Sequence, residues 1–414
     1  MTESEHCVAE LPYLTAGLPG IGGQIKMKPE DFYVEEIPLY PPSGEGQHIY
    51  LQFEKVGLTT LAAIKRIGQS LGIRRKQIGH AGLKDAHAVT RQTISIDGVS
   101  PERVAALNLN GIRVISISKH RNKLKIGHLA GNKFVIRVRE VERDSLSQMR
   151  AILDHLERYG VPNYYGEQRF GLRRNSHQLG LALMKGTPTT FLAILLGQPA
   201  ANEMKQAQLA RAAFDTGNAQ EALRLWPASM RTEFLVLKKL VDTGDEEAAI
   251  RALDHQLKRL FVSAYQSYLF NLLLVQRLPT LGRLEIGDIA FIHRNGAAFV
   301  VEAAEAEQPR ADRFEISPAG PLFGKKYLPA QGEPGDREQA LLRQEGVSLE
   351  DFGVPSVNLD GGRRPYRIPL ADIDFWWDDG AMISFVLPAG GYATMALREI
   401  MKEGHAENTK SHLK

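Results

Sequence analysis

The chain has 414 residues, 43 % hydrophobic and 24 % charged, with a formal net charge of +3. That balance suits a globular protein of two or three domains and excludes a disordered or collagen-like chain; the small net charge leaves any nucleic-acid partner to be argued from where the charges lie. The single cysteine, Cys7, excludes an intrachain disulfide and a cysteine-based zinc site and suits the cytoplasm, while no stretch is apolar enough for a membrane helix and the acidic opening does not read as a secretion signal.

The run Ile25-Lys26-Met27-Lys28-Pro29-Glu30-Asp31-Phe32-Tyr33-Val34 reads as a turn at Pro29 followed by a strand, and residues 49–53 as a second strand after a Gly-Glu-Gly turn. Lys26 and Phe32 stand out here, against the plainer reading of an exposed lysine and a core ring. Leu61, Ile64, Ile67 and Leu71 recur at helical spacing, with Thr59 or Thr60 placed to cap the start. The basic cluster Arg74-Arg75-Lys76 leads into Gly79-His80-Ala81-Gly82-Leu83-Lys84-Asp85-Ala86-His87, after which residues 93–96 alternate as a strand. A lone carboxylate on a glycine-hinged loop beside cations is what a nucleophilic or acid–base site requires. The alternative is a surface turn with a capping aspartate.

Residues 112–117 alternate as another strand. The basic run Lys119-His120-Arg121-Asn122-Lys123-Leu124-Lys125 is either a solvated face or an edge that tracks phosphates. In residues 131–139 a period of two puts Asn132, Phe134, Ile136 and Val138 on one face. An amide and a ring there could bond and stack a base, or Asn132 could simply close a turn after Gly131. Residues 144–160 read as a helix, with Ser145 and Gln148 as a capping box and Gly160 as its stop.

From about 175 to 280 the pattern is almost wholly helical. Asp-Thr-Gly-Asn at 215–218 and Asp-Thr-Gly-Asp at 242–245 resemble a repeat, but two helix stops each followed by an N-cap explain them equally well. In the helix that closes this block, Tyr265, Leu269 and Leu272 form the expected buried stripe. Strands return at 287–301, residues 329–346 read as a polar loop, and the chain ends in a β–β–α unit. There Gly390-Gly391-Tyr392 would let backbone approach a ligand, unless Tyr392 is simply core. Residues after about Glu403 are polar and read as a frayed end. The whole is an α+β outer part interrupted by a helix-rich middle.

Lys26…Pro29-Glu30-Asp31-Phe32, Gly44-Glu45-Gly46, Ala81-Gly82-Leu83-Lys84-Asp85-Ala86-His87, Gly131-Asn132-Lys133-Phe134, Pro162-Asn163-Tyr164-Tyr165-Gly166 and Leu387-Pro388-Ala389-Gly390…Tyr392 occur in one order along nearly the whole chain. Together they resemble the TruD family of tRNA pseudouridine synthases. The resemblance implies an α+β catalytic domain around a mixed, mainly antiparallel sheet, over residues 1–160 and 366–414. It also implies an inserted, helix-rich TRUD domain over 161–365. The implied activity is isomerisation of uridine to pseudouridine in tRNA, at position 13. Asp85 resembles the catalytic aspartate and Lys26 its basic partner. Phe32, Asn132 and Tyr392 match positions lining the substrate pocket, and Phe134 the aromatic against the base. Tyr392 stands where a phenylalanine is usual.

The implied reaction breaks a C–N glycosidic bond and makes a C–C bond from the same atoms, so no cofactor or metal is expected. The carboxylate would attack the sugar or the base, or deprotonate the sugar; the sequence leaves all three open. A nearby cation should keep Asp85 ionised, and rings should offset the few kcal/mol spent unstacking the base. The expected partner is tRNA, with no membrane association and no obligatory protein partner. Two alternatives stand beside this reading. One is a non-catalytic RNA-binding protein of the same fold; the other is a hydrolase holding a metal on His80, Asp85 and His87, whose spacing fits no common zinc site.

Overall fold

The computed structural model describes residues 11–354, 357 and 359–402. Cys7, the acidic opening segment and the polar end after Glu403 lie outside the described residues. The chain divides into two compact units. One comprises Tyr13–Asn163 and residues 368–402; the other is Tyr164–Arg367 with Leu11 and Pro12.

In the first unit the elements are β1 (Phe32–Pro38), β2 (His48–Val56), α1 (Thr60–Leu71), β3 (Ile78–His80), β4 (Val89–Ile96), α2 (Pro101–Ala105), β5 (Ile112–His120), β6 (Leu129–Val138) and α3 (Ser145–Tyr159). The returning chain adds β7 (Ala371–Trp377), β8 (Ala381–Pro388) and α4 (Ala393–Met401). They form one eight-stranded sheet in the order β7-β8-β6-β1-β4-β2-β5, with β3 alongside β4. Every pairing is antiparallel except β1 with β4. The sheet is thus mixed and mainly antiparallel, and the fold is α+β.

The period-two pattern explains the strands. Phe32 and Val34 in β1, Ile49, Leu51 and Phe53 in β2, and Phe134, Ile136 and Val138 in β6 are all buried. Under β2 and β4, Ala63, Ile64, Ile67 and Leu71 of α1 close a core with Ile78, Ile94 and Ile96. Thr59 caps that helix by accepting from the Ala62 N–H, and Gly72 ends it in the left-handed region. Leu61, placed in the stripe by spacing, is instead exposed; Ala63 takes the inward position. The Ser145–Gln148 capping box does not form. The N–H groups of Ser145 and Leu146 go to the carbonyls of Glu142 and Arg143, a turn that already satisfies them. Gly131 and Asn132 lie inside β6 rather than in a turn.

The second unit has seven helices between Ser176 and Arg277 among its described residues. Gly217 and Gly244 take positive φ, while Asn218 and Asp245 cap the following helices through their side chains. Stop-then-cap chemistry accounts for the repeated phrase. Leu272 is only half-buried; Tyr268 and Leu273 join Tyr265 and Leu269 inside. A four-stranded sheet pairs Gly362–Pro365, Ile316–Leu322, Ile289–Ile292 and Ala298–Val300 in that order. The segment expected to be a polar loop carries the helix Gly332–Gln344. Its Gly-Glu-Pro-Gly start disguises it, but proline is tolerated in a first turn. Buried Leu341 and Leu342 and the buried Glu338–Arg363 pair fasten it. Among the described residues no helix is long and apolar enough to cross a membrane.

At Gly131 the β6 backbone lies so close to β8 that an added Cβ would meet the carbonyl oxygen of Leu387. Gly131→Ala should force the strands apart and cost roughly 1–3 kcal/mol, the usual cost of overpacking. Urea denaturation measures this; an unchanged midpoint would show that the sheet yields freely there.

Candidate active site

Because β1 and β4 run parallel, the loops that precede them emerge at the same end of the sheet, with Tyr33 opposite Val89. Lys26 lies on the first loop and Asp85 on the second. The first is pinned from β6. Gln24 and Arg139 exchange backbone hydrogen bonds of 2.9 and 2.8 Å. The Arg139 guanidinium bonds both oxygens of Asp31, Nε at 3.0 and 2.9 Å and Nη2 at 2.7 Å. Asp31 is fully buried and also accepts from the Lys28 N–H at 2.9 Å. Burial alone would raise its carboxyl, but Arg139 and that N–H outweigh it and hold the group below the usual range. Between these anchors Lys26 adopts φ +59°, a left-handed conformation costing about 1–2 kcal/mol. It aims the ammonium 3.1 Å from Asp85 Oδ2 and 4.5 Å above the Phe32 ring.

The Asp85 loop is held mainly through its backbone and its neighbour. Lys55 is fully buried; its ammonium donates to the carbonyls of Asp85 at 2.8 Å and Leu58 at 2.5 Å. Burial pulls its pKa down to about 8, against the raising influence of Asp85. The Lys84 N–H donates to Thr60 Oγ1 at 2.8 Å, and that hydroxyl bonds Gln92 Oε1 at 3.0 Å. The Lys84 ammonium sits 3.3 Å from Glu36 Oε2, both side chains nearly enclosed. Burial raises the Glu36 carboxyl and Lys84 opposes it. Above this fastened base the Asp85 side chain itself is 56 % exposed.

Rings flank the pair. Phe32 meets Phe134 edge-on at 6.2 Å, and Phe134 packs against Phe385 of β8 at 5.4 Å. Asn132 lies two residues before Phe134 on the same face of β6, between Glu36 and Leu387 of the adjoining strands. Its Oδ1 is buried without a hydrogen-bond partner among the described residues, a condition that a ligand donor would relieve. Tyr392 is at the N-cap of α4, four residues beyond Pro388, which pairs with Gly131; the residue is 43 % exposed. Thus Lys26, Asp85, Phe32 and Phe134 form a chain of direct contacts, Asn132 joins it by strand register, and Tyr392 is tied to it through β8.

Glu36, Lys55, Lys84 and Arg139 are not singled out by motif reading, yet they hold the two loops. Their signal is positional. Glu36 continues the inward face of Phe32 and Val34, and Lys55 that of Ile49, Leu51 and Phe53, where an apolar residue is the rule. Among the described residues no three His, Cys, Asp or Glu side chains converge on a metal position, so the reading of His80, Asp85 and His87 as ligands finds no geometry. His80 Nδ1 faces the Gly82 carbonyl at 3.2 Å.

An accessible carboxylate, a fixed lysine and edge-packed rings on a mixed sheet form an arrangement suited to chemistry on a planar, polar group. The comparisons narrow this. The family model described as tRNA pseudouridine synthase D (TruD) matches residues 9–400, and the chain belongs to that family. It is 48 % identical over 401 residues to the tRNA pseudouridine synthase D of Geobacter metallireducens, covering 96 % of this chain and 99 % of that one. Against the Geobacter sulfurreducens protein of the same name identity is 45 %, with 97 % and 98 % covered. A crystal structure from Methanosarcina mazei, described as a candidate tRNA pseudouridine synthase D, superposes with a TM-score of 0.85 at 29 % identity, covering 97 % of this chain and 98 % of that one.

Two measurements follow from the buried scaffold. Lys84→Met leaves Glu36 enclosed and unpaired and should cost about 3–5 kcal/mol in urea denaturation, whereas Lys84→Met with Glu36→Leu should recover most of that loss. Equal losses in the single and double variants would contradict the pairing. For Lys55, the unfolded chain holds the proton up to about 10.5 and the folded chain only to about 8. The unfolded state therefore binds more protons between these values, and stability from this group rises with pH across that window. Relative to Lys55→Met, the wild type should gain on the order of 3 kcal/mol from pH 8 to 10.5.

Proposed function

We propose that Asp85 is the group through which this chain isomerises uridine to pseudouridine in tRNA, with position 13 as the target. Membership of the family supports the reaction. The observation that carries the residue assignment is the half-exposed Asp85 carboxylate held 3.1 Å from Lys26, with Phe32 beneath that lysine. In the rearrangement the N1–C1′ bond breaks and a C5–C1′ bond forms; the C5 proton leaves to solvent and N1 gains one. One proton is exchanged with solvent, the net composition is unchanged, and no oxidant or reductant takes part. The ammonium of Lys26 would stabilise the ionised carboxylate and orient it toward the nucleoside.

The target base has to leave the stack to reach Asp85. Phe32 and Phe134 would bound it, Asn132 Oδ1 would accept from its imide N–H, and Tyr392 would approach the site from the start of α4. Tyrosine there keeps a ring and adds a hydroxyl, so Tyr392→Phe should remain active. The reaction would take place in the cytoplasm, on tRNA alone, with no protein partner required.

Asp85→Asn keeps the shape and removes the charge. It should abolish tritium release from tRNA labelled at uridine C5, a loss of at least about 10⁴-fold, while the dissociation constant for tRNA stays within about threefold. Near-normal release would sink the assignment of Asp85. Pseudouridine mapped elsewhere than position 13 in wild-type-treated tRNA would overturn only the choice of target.

A further inference from the structure

We infer that a cleft bounded by Tyr40, His120, Asn122, Lys125 and His128 is a second nucleotide site, taking one unstacked nucleotide of the RNA substrate outside the position that enters the Asp85 site. The inference rests on the reading of the substrate as RNA. It concerns a different part of the sheet from the Lys26–Asp85 pair.

The cleft arises from connectivity. β5 is the edge strand and β6 lies beyond β2, β4 and β1, so residues 121–128 must cross three strands to join them. Leu124 anchors that crossing by packing with Tyr50 and Ala81. Its N–H donates to Ser95 Oγ at 2.9 Å, and the Gly127 N–H donates to the Ala81 carbonyl at 2.8 Å. The rest of the crossing stands over a cavity of about 610 Å³. That is ample for one nucleotide.

Its walls are preorganised. Tyr40 stacks on His120 with centroids 5.2 Å apart and planes 16° from parallel, and His120 leans on Tyr50 at 4.5 Å. The Ser43 N–H donates to His120 Nδ1 at 3.1 Å, which places any ring proton on Nε2. Burial, with His48 and Arg121 nearby, lowers the His120 pKa and favours that neutral ring. Tyr40 Oη bonds His128 Nδ1 at 2.7 Å. With both Nδ1 atoms engaged, the histidines are poorly disposed to share a metal; buried His120 instead backs the half-buried Tyr40 ring and fixes it as the surface a base can meet.

The rim supplies the complementary charge. Residues 119–128 contain Lys119, Arg121, Lys123 and Lys125 and no acid. Arg121 is paired with Glu45, and Lys123 reaches the Lys76 carbonyl, which brings the Arg74-Arg75-Lys76 cluster alongside. Lys125 and the Asn122 amide are exposed at the mouth, one suited to a phosphodiester and the other to a base edge. A stacking surface with lysines beside it is the arrangement that grips single-stranded nucleic acid without a strict sequence requirement. The crossing is bonded to Ala81, four residues and at most about 14 Å of chain from Asp85. A strand that delivers a base to Asp85 can therefore extend to the cleft.

The test uses the full-length enzyme with transcript tRNA, Lys125→Glu and Tyr40→Ala, and Tyr40→Phe as the conservative control. The proposal expects KM and the dissociation constant to rise about tenfold for Lys125→Glu and Tyr40→Ala, with a much smaller change in kcat, and Tyr40→Phe to recover most of the loss. The log–log salt dependence of binding should flatten by somewhat less than one for Lys125→Glu. Ultraviolet cross-linking to tRNA should label peptides containing Tyr40 or residues 122–128, and excess uridine monophosphate or inorganic phosphate should leave that labelling intact. Binding unchanged within twofold for both variants, or cross-links absent from those peptides, overturns the proposal. Competition by the mononucleotide or by phosphate at micromolar concentration overturns it too, in favour of a free small ligand. A wild-type enzyme that binds tRNA but does not isomerise it removes the proposed function and leaves the binding comparison interpretable.

Discussion

The parallel pairing of β1 with β4 is the constraint from which the site follows. In a sheet that is otherwise antiparallel, this single pairing brings the starts of two strands 57 residues apart side by side, with Tyr33 opposite Val89. Each strand is preceded by a loop, and one loop holds a lysine while the other holds a carboxylate. Had the strands run in opposite directions, residues 26 and 85 would lie near opposite ends of the sheet. β6 then completes the arrangement by pairing with the other edge of β1, which sets Phe134 opposite Val34 and Asn132 opposite Glu36.

The energetics separate the groups that face solvent from those that hold them. An ion pair as open as Lys26–Asp85 is worth about 0–1 kcal/mol and contributes little to folding. Its geometry is maintained instead by enclosed interactions: Arg139 on Asp31, Lys84 on Glu36, and Lys55 on two carbonyls. Each places a charge where water is scarce, so each is costly when broken. Lys26 in its left-handed conformation is a smaller expense of the same kind, sustained by the anchors on either side of it. Asn132 Oδ1, buried without a hydrogen-bond partner among the described residues, adds to the same account at a position where a ligand could complete its bonding.

Much of the architecture is legible from periodicity alone. Alternation in β1, β2 and β6, the cap at Thr59, and the helical block after residue 175 all rest on local chemistry that the residues state directly. The errors have local causes too. A Gly-Glu-Pro-Gly start concealed the helix Gly332–Gln344, whose fastening to Arg363 is remote in sequence, and a preceding turn displaced the Ser145 capping box. The Asp85 loop is recognisable as a motif, whereas its contact with Lys26 depends on strand direction, which no local pattern encodes. Lys55 and Glu36 could have been noticed as charges on apolar faces. Their partners could not, because a period-two pattern identifies a face without naming what packs upon it.

The grip of Lys55 on Asp85 has a further consequence. It engages the peptide carbonyl, a group every amino acid carries, rather than the carboxylate. The hydrogen bond that places the loop therefore calls for no particular side chain at position 85, while the charge of the aspartate still acts on Lys55 and Lys26. A thiol, an amide or an unnatural side chain installed there would inherit the same address, beside the same ammonium and the same rings. The loop is in effect a socket, and the chemistry mounted in it can be exchanged without rebuilding the wall behind.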